Sequence, residues 1–402
     1  MALGVIPGAM AQVEREFFAR TPPYPVYQNP DSARYNLKLG KLTARLTGNV
    51  QAEFNDNINL SESKPEADFS IGPYVAAGFL WPVNRFNVLN LDIGLGYRWY
   101  MKNPDANALS IAPNTHLDYT IYIKGVRVTV SDRLSISVDP ITQTQVTAVS
   151  GNVTHLRRLT NTASVSADWQ ATRDLDVYGG YAFSIDRSLT SSFTELDRDD
   201  NTFYGGVNYA VNSLMKAGFM GSYSMFHYLQ PFQNDGESLT VGPTVNAKLT
   251  KFLTLSGSVG YTMGWYSHTG SIADTSDYSG VTYSVGLEHI INRHTSQNLR
   301  FSQSLSQGFG SNYSTVWTLQ YGINTHLTRN LSLNGIAAFE NIEASGANGE
   351  AAQRYLLYVG SGYQLSRNWS VGLSYSLAVR DSDQALRGYV QNRVTVDATY
   401  RF

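Results

Sequence analysis

The 402-residue chain has no cysteine, which excludes disulfide scaffolds, thiolate metal sites and cysteine nucleophiles together. Charge is scarce as well: 15% of residues are charged, against roughly 25% in an ordinary soluble domain. The formal net charge is -2 and no basic stripe or Lys/Arg run occurs, which argues against a nucleic-acid partner. Long apolar runs are missing too. The longest, Tyr74 to Val83, is about half of what a spanning helix requires, so no transmembrane helix is present. His116, His155, His227, His268, His289 and His326 are dispersed without metal-ligand spacing, and no cofactor is implied.

What the chain has instead is Tyr 26, Gly 34 and Phe 17, a composition suited to alternating strands. The last segment shows a period of two: Val394, Val396, Ala398, Tyr400 and Phe402 alternate with Arg393, Thr395, Asp397, Thr399 and Arg401. The preceding one sets Trp369, Val371, Leu373, Tyr375, Leu377 and Val379 against Ser370, Gly372, Ser374, Ser376, Ala378 and Arg380. Trp99, Trp169, Trp265, Trp317, Trp369 and Tyr400 fall near the ends of such segments, where rings with one polar atom favour the membrane headgroup level.

Short segments such as Leu249-Thr250-Lys251-Phe252, Leu327-Thr328-Arg329-Asn330 and Leu365-Ser366-Arg367-Asn368 recur as tight turns. Looser copies stand at Val83-Asn84-Arg85, Ser131-Asp132-Arg133, Thr172-Arg173-Asp174, Val211-Asn212-Ser213 and Asn292-Arg293-His294. Longer polar stretches alternate with them: Lys102 to Asn114, Ser188 to Asn201, Ser267 to Gly280 and Asn341 to Gln353. Short turns alternating with long loops are the layout of an outer-membrane β-barrel, and eight short turns predict about 18 antiparallel strands, with 16 the alternative. Between Leu117 and Val130 the outward set changes phase, which places a bulge at Lys124-Gly125, a hairpin being the other solution. Because the bilayer offers no partner to an open edge, the sheet must close on itself. Residues 42–402 are thus expected to form one transmembrane barrel, preceded by a periplasmic leader over 12–41. Residues 1–11, ending in Ala9-Met10-Ala11, match the end of a secretory signal peptide.

Several of these segments resemble a family of Gram-negative outer-membrane channels, the putative β-barrel porin 2 group. The carriers are Ser131-Asp132-Arg133-Leu134-Ser135 with Asp139-Pro140, the run Ser191 to Arg198, Asp381-Ser382-Asp383, and Gln391-Asn392-Arg393-Val394-Thr395 through Phe402. The resemblance implies a pore in the outer membrane, and some related barrels accompany exopolysaccharide export. Phe402 with Tyr400 also resembles the C-terminal signal read by the barrel-assembly machinery, although any last strand would alternate in this way.

Alternation places Asp92, Arg98, Asp118, Lys124, Asp168, Lys216, Lys248, Glu288, Arg300, Arg380, Arg393 and Asp397 on the inner wall, with Asp176, Glu340 and Arg401 beside them. The signs nearly cancel, which predicts weak ion selectivity or a transverse field; pairs that merely hydrate the wall are the plainer account. Tyr100, Tyr122, Tyr204, Tyr358 and Tyr389 also point inward. His294-Thr295-Ser296 has the spacing of a barrel lipase but sits in a turn with no orienting acid, so no enzyme is expected. Asp197-Arg198-Asp199-Asp200-Asn201 gathers oxygen ligands yet lacks the glycine and distal glutamate of a calcium loop. The sequence predicts a channel for passive diffusion of small polar solutes. An exopolysaccharide conduit and a plugged structural or adhesive barrel are the alternatives. Expected partners are outer-membrane lipids and lipopolysaccharide, the assembly machinery, and further copies of the chain in a homo-oligomer.

Overall fold

A computed structural model describes residues 37–112, 115–137, 157–308, 310–347 and 349–402. The chain begins with β1 (Leu37–Leu39), β2 (Leu42–Asn55), β3 (Asp68–Pro82), β4 (Asn87–Tyr100), β5 (Ala108–Ile111), β6 (His116–Ile123) and β7 (Val126–Ser137). It continues through β8 (Arg158–Gln170), β9 (Leu175–Ser188), β10 (Arg198–Asn212), β11 (Met215–Tyr228), β12 (Gly236–Lys248) and β13 (Leu253–Tyr266). It ends with β14 (Tyr278–Asn292), β15 (Thr295–Gln307), β16 (Tyr313–His326), β17 (Leu331–Ala344), β18 (Ala351–Gln364), β19 (Trp369–Ser382) and β20 (Tyr389–Arg401).

Apart from β5 and β6, each strand pairs antiparallel with the next, and β20 returns to β2 in a register running from Thr47 opposite Arg401 to Asn55 opposite Arg393. The sheet is therefore a closed barrel. β1 folds back on β2 as an appendage, so residues 37–39, expected in the leader, join the sheet instead. β5 and β6 share one place between β4 and β7, interrupted near Ala112 and Thr115, which makes the wall 18 strands. The signal and most of the leader expected over 1–41 lie outside the described residues, as do Asp139, Pro140 and His155.

The alternation that forms these strands also sorts their faces. Leu46, Val50 and Phe54 on β2, Phe203 and Val207 on β10, Tyr355, Leu357 and Val359 on β18, and Val394 and Val396 on β20 are exposed on the outside. In lipid that exposure is burial, and the strand ladders are what satisfy the backbone N–H groups of such a wall. Trp81, Trp169 and Trp369 ring the end with short turns, where Tyr400 stacks on Trp369 and on Phe402, each at 4.9 Å between centroids. Trp99, Trp265 and Trp317 lie toward the end with long loops.

Seven of the eight expected short turns occur where the sequence places them, and one does not. Ser131, Asp132 and Arg133 lie inside β7, opposite Ser164, Ala163 and Thr162 of β8. The turn is at Lys124-Gly125, where Ile123 pairs with Val126 and both turn residues have positive φ, 46° and 87°. This is a two-residue hairpin whose twist matches the flanking strands, not a bulge. It also explains the phase change after Ile123: a two-residue turn moves the outward set from odd to even numbers.

Candidate functional site

The inner face of the wall is where solute contact is possible, and its charges are arranged in pairs. Asp92 on β4 accepts from Arg45 of β2 at 2.7 Å, and Arg98 reaches Glu53 at 3.2 Å and Gln51 at 2.9 Å. Asp118 on β6 lies 3.4 Å from His116 and 3.8 Å from Arg133, while His116 is 3.8 Å from Asp92. Asp92 and Asp118 are thereby drawn into one cluster. Asp168 accepts from Arg127 at 2.9 Å, and Lys216 donates to Asp176 at 2.7 Å. Part-exposed pairs of this kind contribute roughly 0–1 kcal/mol each, so their role is to set the local field rather than to hold the barrel.

The other predicted wall residues are placed separately. Arg393 donates to Ser376 at 3.2 Å, Asp397 stands opposite Gly372, and Arg300 stands between Gly286 and Gln320. Glu288 lies opposite Thr254 and Asn298, and Lys248 is exposed at the turn end of β12. Lys124 is not on the wall at all: it occupies the hairpin tip, because the strand ends one residue before it. Asp199 and Asp200, candidate cation ligands, are taken by Arg187 at 2.5 Å and Arg198 at 3.1 Å, and His294 lies in the turn before β15.

Two inward intrusions narrow the loop end, and sequence periodicity shows neither. The loop between β2 and β3 folds in so that Leu60 packs on Ala378, Tyr389 and Leu356, inward residues of β19, β20 and β18. Asn57, 1% exposed, pins this loop by donating to Ser61 O and Val390 O, both at 2.9 Å. Beside it Arg380 pairs with Glu350 at 2.6 Å and Arg387 reaches the same carboxylate at 2.9 Å. The Arg380 and Glu350 side chains are 2% and 5% exposed, so removing Glu350 would leave the buried Arg380 charge without its carboxylate, at about 3–5 kcal/mol.

The second intrusion is the β15–β16 hairpin. β14 and β15 stop pairing above Tyr283 opposite Gln303, although both strands continue. The hairpin leans inward there, so that Tyr313 stacks on Tyr266 at 5.7 Å and on Tyr278 at 5.2 Å. Gln307 reaches Asp200 of β10, five strands away, at 3.2 Å. Phe226, Tyr228 and Tyr266 form the buried aromatic cluster against which Tyr313 rests.

Three loops are tied above this hairpin by one buried carboxylate, and a fourth, after β11, joins them through Asn234. Asp274 accepts from Asn312 N–H at 2.7 Å, from Ser276 N–H at 2.9 Å and from the Ser345 hydroxyl. Asn234 donates to Asp274 O at 3.0 Å and to Asn312 Oδ1 at 2.8 Å. Burial works to raise the Asp274 pKa, but the hydrogen bonds outweigh it and hold the group below its ordinary value.

Arg45, Glu53 and Arg127 could have been read from alternation once the Lys124-Gly125 hairpin was fixed. Leu60, Glu350 and Asp274 carry no such signal, since they lie in loops.

No curated protein matches the chain in sequence. Among solved structures it resembles OccK2 (OpdF) of Pseudomonas aeruginosa in complex with glucuronate, at 10% identity and TM-score 0.50, covering 92% of this chain and 100% of that one. It also resembles a BenF-like porin from Pseudomonas fluorescens Pf-5, at 10% identity and TM-score 0.53, covering 90% and 100%. At such identity the likeness is one of fold. The model of the family described as "Putative beta-barrel porin 2" matches residues 37–402, and with a closed wall, a lipid-facing exterior and an ion-paired interior, the chain is a porin-like outer-membrane channel belonging to that family.

Proposed function

We propose that this channel passes small polar solutes down their gradient with weak preference for ion sign, its bore narrowed at the loop end by the β2–β3 loop and the β15–β16 hairpin. The observation that carries this is the alternation of opposite charges on the inner wall, Arg45 with Asp92, Arg98 with Glu53, Arg127 with Asp168 and Lys216 with Asp176. Paired signs hydrate the wall without a ring of one sign that would exclude co-ions. Asp92, Arg98, Asp118, Asp168, Lys216, Lys248, Glu288, Arg300, Arg380, Arg393 and Asp397 are the residues we assign to that surface.

A secretory signal over residues 1–11, recognition of Tyr400 and Phe402 by the assembly machinery, and contacts with lipopolysaccharide complete the reading. Conductance of the refolded full chain in a planar bilayer tests it. Stable nanosiemens steps with a reversal potential near zero in a salt gradient are expected. Glucuronate, bound by one of the similar barrels, is then the first solute to try as a blocker. Silence from a folded barrel would overturn the open channel.

A further inference from the structure

The same parting of β14 from β15 that tips a hairpin inward leaves a cleft on the outside of the wall. Above Tyr283 and Gln303 the two strands share no ladder pair, so the outward residues of β13 and β14 and the Tyr313 ring on β16 come to border one space. Its volume is about 620 Å³, and Tyr261, Trp265, Asp277, Tyr278, Ser279 and Tyr313 line it. Trp265 and Tyr261 are exposed on the face that meets lipid, at the level of the aromatic girdle nearest the loops. The occupant must therefore come from the outer-leaflet headgroup layer.

The chemistry of the lining narrows the choice. Aromatic faces from Trp265, Tyr261, Tyr278 and Tyr313 can take the C–H face of a sugar ring, while its hydroxyls need acceptors at the rim. Tyr261 Oη is already 3.1 Å from Ser279 Oγ, and Tyr313 Oη donates to Asp277 O at 3.4 Å, so hydroxyl groups stand at that rim. Asp277 is exposed, with only its Oδ1 engaged by Tyr266 N–H at 3.0 Å in the hydrogen bonds of this cleft. Among the described residues no Lys or Arg lines the space, which disfavours a phosphate.

We propose that this cleft binds the pyranose headgroup of an outer-leaflet glycolipid, which closes the wall where β14 and β15 part. The test uses the full chain labelled with 5-fluorotryptophan in detergent micelles, followed by fluorine NMR, with the Trp265 resonance assigned by W265F. Octyl β-glucoside and rough lipopolysaccharide are titrated in turn, and octyl phosphocholine serves as the sugar-free amphiphile. The Trp265 resonance is expected to shift saturably with both sugar amphiphiles and not with octyl phosphocholine. Trp99 and Trp317, in the same girdle, should stay in place. S279W, which fills the cleft, should abolish the shift while the remaining resonances report an intact fold. An equal response to octyl phosphocholine, no response of Trp265, or an S279W response like that of the parent would each overturn the proposal.

Discussion

Replacing Asp274 by alanine removes the acceptor that joins the loops after β13, β15 and β17. In the native cap its carboxylate takes the N–H groups of Asn312 and Ser276 and the Ser345 hydroxyl, all away from bulk water. A hydrogen bond to a charged group contributes about 1.5–3 kcal/mol, and three that share one acceptor are not additive, so the cap should lose about 3–6 kcal/mol. The loss is local, because none of the ladder bonds of the barrel passes through Asp274. Hydrogen exchange of the native protein reads it directly: amides in 267–277 and 310–312 should exchange at least about a hundredfold faster, at about 1.4 kcal/mol per decade. Strand amides should be unchanged. Asp274→Asn keeps the shape but sets an N–H₂ group against at least one of the three donors, so it should fall between the two. Since the folded pKa lies below the ordinary carboxylate value, the stabilisation is complete above about pH 4. It is lost only as pH falls through that lowered pKa, so the cap should exchange equally slowly at pH 7 and pH 5. Unchanged protection at Ser276 and Asn312 in the alanine variant, or loss spread over the whole barrel, would refute this account.

Leu60→Asp places a carboxylate against Ala378, Tyr389 and Leu356, so the β2–β3 loop should leave the bore and single-channel conductance should rise; steps identical to those of the parent would show that the loop does not narrow the path. Asp92→Asn leaves Arg45 without its carboxylate and should move the reversal potential toward anion preference, whereas Arg45→Gln should move it the other way. Failure of both to shift it would place this cluster off the conducting path. Gly242→Ala drives a Cβ into the Val259 carbonyl oxygen and should sharply lower the folded fraction seen by heat-dependent gel mobility. Gly257→Ala, whose Cβ would approach nothing nearer than Val245 Cγ1 at 3.4 Å, should fold like the parent and serves as its control.

The barrel was legible because lipid imposes a strict period of two and because most turns carry polar, turn-forming residues. The exception is instructive. Ser131-Asp132-Arg133 has the composition of a turn but is held inside β7 by two neighbours, with Asn161 donating to Asp132 at 3.0 Å. Lys124-Gly125 lacks the Asn or Asp that usually marks a two-residue hairpin, and only the change in phase of the outward set betrays it. Pairing partners on the wall followed from the register, whereas the inward loops did not. Leu60 meets Ala378, and Gln307 meets Asp200, across sequence separations that no local pattern encodes. Asp274 reads as one polar residue in a loop until Asn312 and Ser345 are brought to it.

The seam between β2 and β20 has a consequence for the order of events in the life of the chain. Every other neighbouring pair consists of segments close together in sequence, so those hairpins can form as the polypeptide arrives. The seam joins the first long strand to the last, and Phe402 N–H donates to Leu46 O at 3.1 Å. Until the final residues are present, two raw strand edges exist at once, each able to capture a second chain. Completion is therefore all-or-none and waits for the C-terminus, so a truncated product is left as an open ribbon instead of a smaller barrel.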